Sequence, residues 1–432
     1  MSISNSMYIG ISGLEANGDA ISVVGDNISN ASTIGFKSER ASFSDLLGGQ
    51  LGAQRLGGGV MMSGTQTMWT QGAITTTGNP LDLAINGGGL FEVAGSANGQ
   101  TGTFFTRDGQ FQLDQNGYIV NQAGMRLQGY TIDSSGATST TIGDLPVGAR
   151  QSPPAATTTA TMTANLDSNA PVPPAWDPAN PSGTSSYNTS ETVYDSLGNA
   201  HTVQMYFRNA GGGQWEWHAM VDGGDLTGGT KGTPTEIASG TLTFNSSGAL
   251  QAQTTTASSA SFVNATPNQA IAFEFGDDIA SGGTGLAGTT QFSGNAAGTD
   301  SAVTGVDIDG HASGNLTSVQ VGADGTVTGI FDNGDKRAIA QVAIASFANE
   351  DGLVRAGNGL MTESQDSGQA IVGAPGSGAR GSITAGALEA SNVDIGTELV
   401  TLINYQRAFE ANSKTITTAD QMLQDVNNLK QG

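Results

Sequence analysis

The chain contains no cysteine. A disulfide framework, a thiolate nucleophile and a Cys-ligated metal are therefore excluded. Positive charge is scarce: 15 Lys and Arg stand against 38 Asp and Glu, a formal net charge of −23 over 432 residues. Nucleic acid and anionic membrane surfaces both call for clustered Lys and Arg, so neither is an expected partner. Charged residues of either sign are only 12% of the chain, about half the usual share. No apolar run approaches the roughly 18 residues of a transmembrane helix. The first basic residue is Lys37, so neither membrane insertion nor a Sec-type signal peptide is expected. Composition alone points to the cytoplasm. What is abundant is Gly, 64 residues, with Thr, Ser, Ala and Asn beside it. That turn-rich, weakly charged composition is similar to extracellular β-proteins. The length predicts about three domains, enough chain for a core that needs no staples.

The two ends are organised differently from the middle. Ile395, Leu402, Phe409, Ile416 and Leu423 lie seven residues apart, with Leu399, Ala419, Met422 and Val426 filling in at offsets of three or four. No Pro or Gly interrupts from Thr397 to Lys430. This predicts a long helix from about Val393, capped by Ser391 or Asn392, with a coiled-coil repeat. At the N-terminus Met7, Leu14, Ile21 and Ile28 repeat the same spacing, and Ile3, Ile11 and Val24 widen the stripe. Gly10, Gly13, Gly18 and Gly25 weaken that helix by roughly 1 kcal/mol each relative to Ala. It is expected to need packing, and to be mobile in a free monomer. A 3.5-residue repeat held over five steps argues for long helix-to-helix contact, within the chain, between chains, or both. Identical chains that meet through non-identical surfaces build open helical filaments.

Between the ends the pattern is β. Asp108-Gly109, Asn116-Gly117, Asp324-Gly325 and Asn333-Gly334 sit between alternating apolar residues, the strongest short hairpin signal. Val203, Met205 and Phe207 share one strand face, as do Trp215, Trp217, Ala219 and Val221. A Pro-rich stretch from Pro153 to Pro181 marks a boundary. The expected fold class is α+β, mainly β, in nested layers: a helical domain from 1–30 and 393–432, an extended linker and hairpin region from 31–72 and 363–392, an inner β domain from 73–148 and 299–362, and an outer β domain at 149–298.

Several chemical signals fail on inspection. Gly376-Ser-Gly-Ala-Arg-Gly381 spells a dinucleotide fingerprint, but no apolar helix opens after it. Asp307-Ile-Asp-Gly-His311 lacks the further oxygens of a calcium loop, and position 318 is Ser. No G-x-S-x-G elbow accompanies His201, His218 or His311. Trp215 and Trp217 could form a sugar platform, but core packing is the expected role.

One set of motifs is specific. Ser12-Gly-Leu-Glu-Ala16 is followed by Asn27, Asn30, Thr33, Gly35, Phe36 and Lys37. Further on stand Ile85-Asn-Gly-Gly-Gly-Leu-Phe91, Thr106-Arg-Asp-Gly-Gln-Phe111, the Gly352–Gly368 run, and Asn404-Tyr-Gln-Arg-Ala-Phe-Glu-Ala-Asn412 with Gln406, Arg407 and Asn412. Together these resemble the bacterial flagellar rod and hook axial proteins over nearly the whole chain. Ile34 and Ser29 are tolerable departures. The blocks Asn165-Leu-Asp-Ser168 and Tyr194-Asp-Ser-Leu-Gly198 resemble a domain of the hook members that shorter rod relatives lack.

The resemblance implies a structural subunit of the hook, with no catalysis and no cofactor or metal. It implies export through the flagellar type III apparatus without a cleaved signal, which reverses the cytoplasmic reading. The implied partners are the chain itself, the distal rod protein, the hook cap protein and the hook–filament junction proteins. The helical seams carry the expected subunit contacts: Met7, Ile11, Leu14, Ile21 and Ile28 at one end, and Ile395, Leu399, Leu402, Phe409, Ile416, Leu423 and Val426 at the other. The alternatives are a distal rod subunit with an insertion, or a secreted β-rich adhesin or glycan binder.

Overall fold

Helix α1 spans Ile3–Ser29 and helix α2 spans Ile395–Gln431, and nearly every ordered element between them is a strand. The computed structural model describes residues 3–51, 54–133, 135–148, 151–293 and 301–431. Among the described residues no helix is long and apolar enough to cross a membrane. The chain divides into two compact units, one within 1–150, 317–330 and 336–432 and the other within 151–316 and 331–335.

The first unit contains both helices. After α1 the chain forms a long antiparallel hairpin, Glu39–Leu51 against Gln54–Thr67, whose register slips between Ser42 and Phe43 and again after Leu46. The sheet of this unit interleaves segments from before and after the second unit. Arg126–Ile132 pairs with Lys336–Val342. Leu90–Ala97 pairs with Gln100–Thr106 and with Ile344–Ser346, and Leu360–Thr362 closes on Gln100–Thr106. Phe105 and Phe347 meet edge to face at 4.9 Å, in a cluster with Leu90, Ala345 and Met361. Two short pairings bring the returning chain back to the helices: Ser382–Ala385 on Leu83–Asn86, and Ala387–Glu389 on Ile74–Thr76.

The second unit is a six-stranded antiparallel meander in chain order, Tyr187–Tyr194, Ala200–Gly211, Gln214–Asp222, Pro234–Phe244, Leu250–Ala260 and Gln269–Ala270. A three-stranded sheet joins Ala272–Glu274, Thr159–Asn165 and Ala302–Ile308. That last pairing carries the unit past residue 298, where sequence placed its end. Inward residues alternate along each strand, as a half-buried sheet demands. Trp215, Trp217, Phe207, Phe262 and Phe275 are all buried in one cluster, with Trp217 5.0 Å from Phe275. Neither Trp215 nor Trp217 offers a face to a ligand.

Candidate functional site

The two helices run antiparallel. Gly10 faces Ile416, Gly13 faces Asn412 and Gly18 lies by Phe409, while Asn27 reaches Glu398. On α2 the line of contact is a heptad run: Leu402, Tyr405, Phe409, Asn412, Ile416 and Leu423 are half-buried and Ala419 is buried. On α1 the deepest line is made of small residues. Gly10, Gly13, Ala16, Ala20, Val24 and Asn27 are buried, whereas Met7, Leu14, Ile21 and Ile28 are only half-buried and Ile11 is exposed. The reason is distance. A Cβ on Gly10 would stand 2.9 Å from the Ile416 side chain, and one on Gly13 would stand 2.6 Å from that of Asn412. The glycines that cost helix propensity let the backbones approach. Ile395, Leu399 and Val426 of the expected seam are exposed, as are Gln406 and Arg407.

The hairpin packs on the same pair. Ser12 Oγ accepts the Val60 N–H at 3.2 Å, and Phe43 lies 6.0 Å from Tyr405. At the root of the helices Asn27 is fully buried. Its Nδ2 donates to Glu39 O at 2.7 Å and to Glu398 Oε1 at 3.1 Å, and its Oδ1 accepts the Glu39 N–H at 2.8 Å. Burial pushes the Glu398 carboxyl up, and the Asn27 bond partly opposes it. The helix cap differs from expectation. Asp394, not Ser391 or Asn392, accepts the Thr397 N–H at 2.9 Å. Asn392 instead donates to Met68 O and accepts from Ser38 N.

After α1 the chain turns through Asn30, whose Nδ2 donates to Asp26 and whose Oδ1 accepts from Thr33 Oγ1 at 3.0 Å. Gly35 has a φ of +68° and donates its N–H to Glu389 O at 2.8 Å. A Cβ there would meet the Arg107 backbone at 2.6 Å, so no other residue fits. Phe36 lies 5.1 Å under the Arg355 guanidinium, and Arg355 pairs with Glu39 at 2.7 Å.

Lys37 then enters a buried ionic node. Its Nζ lies 2.6 Å from Glu389 Oε1, while Arg107 Nε lies 2.6 Å from Glu389 Oε2. Lys37 also donates to Thr70 O, Arg107 to the carbonyls of Ile85, Gly87 and Gly89, and Gly72 N–H to Glu389 Oε1. Burial alone would raise the Glu389 carboxyl, but the two cations outweigh it and hold it below the usual range. Arg107 was visible in sequence as part of a motif. Glu389 was not, and its only signal is an acid inside the apolar strand Ala387–Glu389.

Asp309 accepts the backbone N–H groups of Thr158 and Thr159 and the Thr158 hydroxyl. Among the described residues no cluster of His, Asp and Glu could hold a metal.

Similarity to known proteins follows the same layout. The chain is 36% identical to the flagellar hook protein FlgE of Salmonella typhimurium, covering 97% of this chain and 98% of that one. The chain belongs to the flagellar hook protein family. The hook protein of Escherichia coli K12 is likewise 36% identical, over 97% of this chain and 98% of that one. That of Treponema pallidum is 32% identical, over 98% and 99%. Four family profiles fall along the chain. They are the flagella basal body rod protein at 7–37, the flagellar hook protein FlgE/F/G D1 domain at 84–146, the flagellar basal body protein FlaE D2 domain at 165–311, and the flagellar basal body rod FlgEFG protein C-terminal at 384–429. In this hook-family chain the first and last profiles cover the helix pair, and the D2 profile lies within the second compact unit. These relatives favour neither the rod nor the adhesin alternative.

Proposed function

We infer that this chain is a structural subunit of the bacterial flagellar hook, which polymerises with copies of itself through its terminal helices. The polymer is a flexible tube that transmits torque from the rod and motor to the filament. The carrying observation is the helix pair. It buries one seam within the chain yet leaves Ile11, Ile395, Leu399, Val400, Ile403, Met422 and Val426 exposed. Apolar residues in such number, six on α2 and one on α1, suit burial against neighbouring copies, and area removed from water at about 25 cal/mol/Å² can offset the ordering of a Gly-rich helix. Packing of terminal helices around a central channel as a coiled coil belongs to this reading. So do export without a cleaved signal peptide through the type III apparatus, a place outside the cell between the distal rod and the junction proteins, and growth beneath a cap protein.

Electron microscopy under polymerising conditions tests it. The full chain is compared with one lacking residues 1–30 and 393–432. Curved tubes from the first and folded monomers from the second support the reading. A small closed oligomer from both overturns it.

A further inference from the structure

Gln406 and Arg407 belong to the family motif, yet neither side chain makes a hydrogen bond or ion pair among the described residues, and both are exposed. Arg407 lies on a ridge of α2 that turns away from α1: Arg407, Ala411, Lys414, Thr418 and Met422, all exposed. The steps between them are four, three, four and four. Helix α1 carries no basic residue, and it has an exposed ridge of its own. Read from its C-terminal end this is Asp26, Ser22, Asp19, Glu15 and Ile11, again all exposed, with steps of four, three, four and four. The two ridges therefore superpose when run antiparallel. Arg407 meets Asp26, Lys414 meets Asp19, Met422 meets Ile11, and the small Ala411 and Ser22 meet between the two charge pairs. Each pair of charges is seven residues apart, ~10 Å along a helix, so both pairs can close together. Asp26 already accepts one bond from Asn30 Nδ2 and keeps acceptor capacity for an arginine.

These ridges do not meet within the chain, where α1 and α2 pack through their opposite faces. We propose that the acidic ridge of α1 docks on the Arg407–Lys414 ridge of α2 from a second copy, in this antiparallel register. The proposal rests on the self-assembly reading above and names the faces it uses. The sense of the pairing follows from symmetry. A polymer built by one repeated screw operation points every copy the same way, so helices antiparallel within a chain remain antiparallel between neighbours. A concavity of about 510 Å³ opens beside Ala411, Lys414, Thr418 and Met422, with Ser6 at its edge. Exposed ion pairs contribute little affinity. Their role here is register and exclusion of wrong alignments, because a slip of one heptad sets Lys414 opposite Ser12 or carries Arg407 past the end of α1, leaving one cation unpaired.

Two variants test the pairing: Arg407→Glu with Lys414→Glu, and Asp19→Lys with Asp26→Lys. All four positions are exposed, so both variants should keep the circular dichroism of the parent. Each alone should raise the critical concentration for filaments at low salt at least tenfold. An equimolar mixture should restore assembly, since each variant then offers the ridge that complements the other. Background-free crosslinking is a second test in this Cys-free chain. Ile11→Cys with Met422→Cys should give a disulfide ladder on oxidising assembled material, and Ile11→Cys with Ile403→Cys, which fits a parallel register, should not. Parent-like assembly of each charge variant, no rescue on mixing, or a ladder from the Ile403 pair overturns the pairing while leaving the self-assembly reading intact. Failure of the parent itself to form filaments overturns both.

Discussion

Asn27 and Glu398 are 371 positions apart in sequence and 3.1 Å apart in space, with the Asn27 amide donating to the Glu398 carboxylate. The same buried amide closes on both the N–H and the C=O of Glu39. One side chain thus ties the end of α1 to the start of α2 and to the hairpin. Asn27→Ala leaves the Glu39 N–H and carbonyl without partners in a buried site, at about 1–3 kcal/mol. Asn27→Asp costs more, because it adds an anion beside Glu398 and removes the donor. Hydrogen exchange of α1 and α2 amides should show faster opening in that order, with the second unit unchanged.

Among the described residues Glu389 is the carboxylate that bonds both buried cations, Lys37 and Arg107. Glu389→Gln removes the carboxylate that both Lys37 and Arg107 bond directly and leaves only the more distant charge of Glu350, and the first unit should lose about 3–5 kcal/mol. Lys37→Met keeps the Glu389–Arg107 pair and should cost clearly less. Urea midpoints followed by the fluorescence of Trp69, which packs on this unit's core, rank the two. An equal loss in both variants contradicts the node as described.

Glu191 sits on the core face of its strand in the second unit, 5% exposed, and neither carboxylate oxygen has a partner. Burial raises its carboxyl from 4.5 to about 7. Folding therefore binds this proton more tightly than the unfolded chain does. The associated stability is complete below pH 4.5 and is lost as the pH rises to about 7. The span corresponds to about 3 kcal/mol. Unfolding of the second unit at several pH values, read by tryptophan fluorescence, should show that decline. Glu191→Gln should flatten it and stabilise the unit at neutral pH.

Charge is unevenly distributed. The second unit, 151–316 with 331–335, holds 2 Lys and Arg against 16 Asp and Glu, so −14 of the chain's −23 lies there. Copies brought together repel through these charges, and salt screens them within ~10 Å at 0.1 M. Filament growth should therefore accelerate when salt rises from about 0.02 M to about 0.2 M, as followed by light scattering. Growth that slows over this range shows that attraction between opposite charges outweighs the repulsion.

Sequence by itself determined the two terminal helices, the hairpin turns at Asn116-Gly117, Asp324-Gly325 and Asn333-Gly334 (though Asp108-Gly109 joins strands that do not pair with each other), and the motif set that marks the family. These are local or periodic features, and helix periodicity and turn chemistry are written in neighbouring residues. The α2 run from Leu402 to Leu423 was legible for that reason. Tertiary structure alone decided which face of α1 is buried. Gly10, Gly13, Ala16 and Ala20 carry almost no hydrophobic signal, and only the nearness of Ile416 and Asn412 shows why small residues stand there. It alone brought Lys37, Arg107 and Glu389 together from three distant segments, because a charge pair depends on where the chain returns and not on local spacing. It also decided that Asp394 rather than Asn392 caps α2, since Asn392 is taken by the backbone of Met68, just past a strand and 324 residues away.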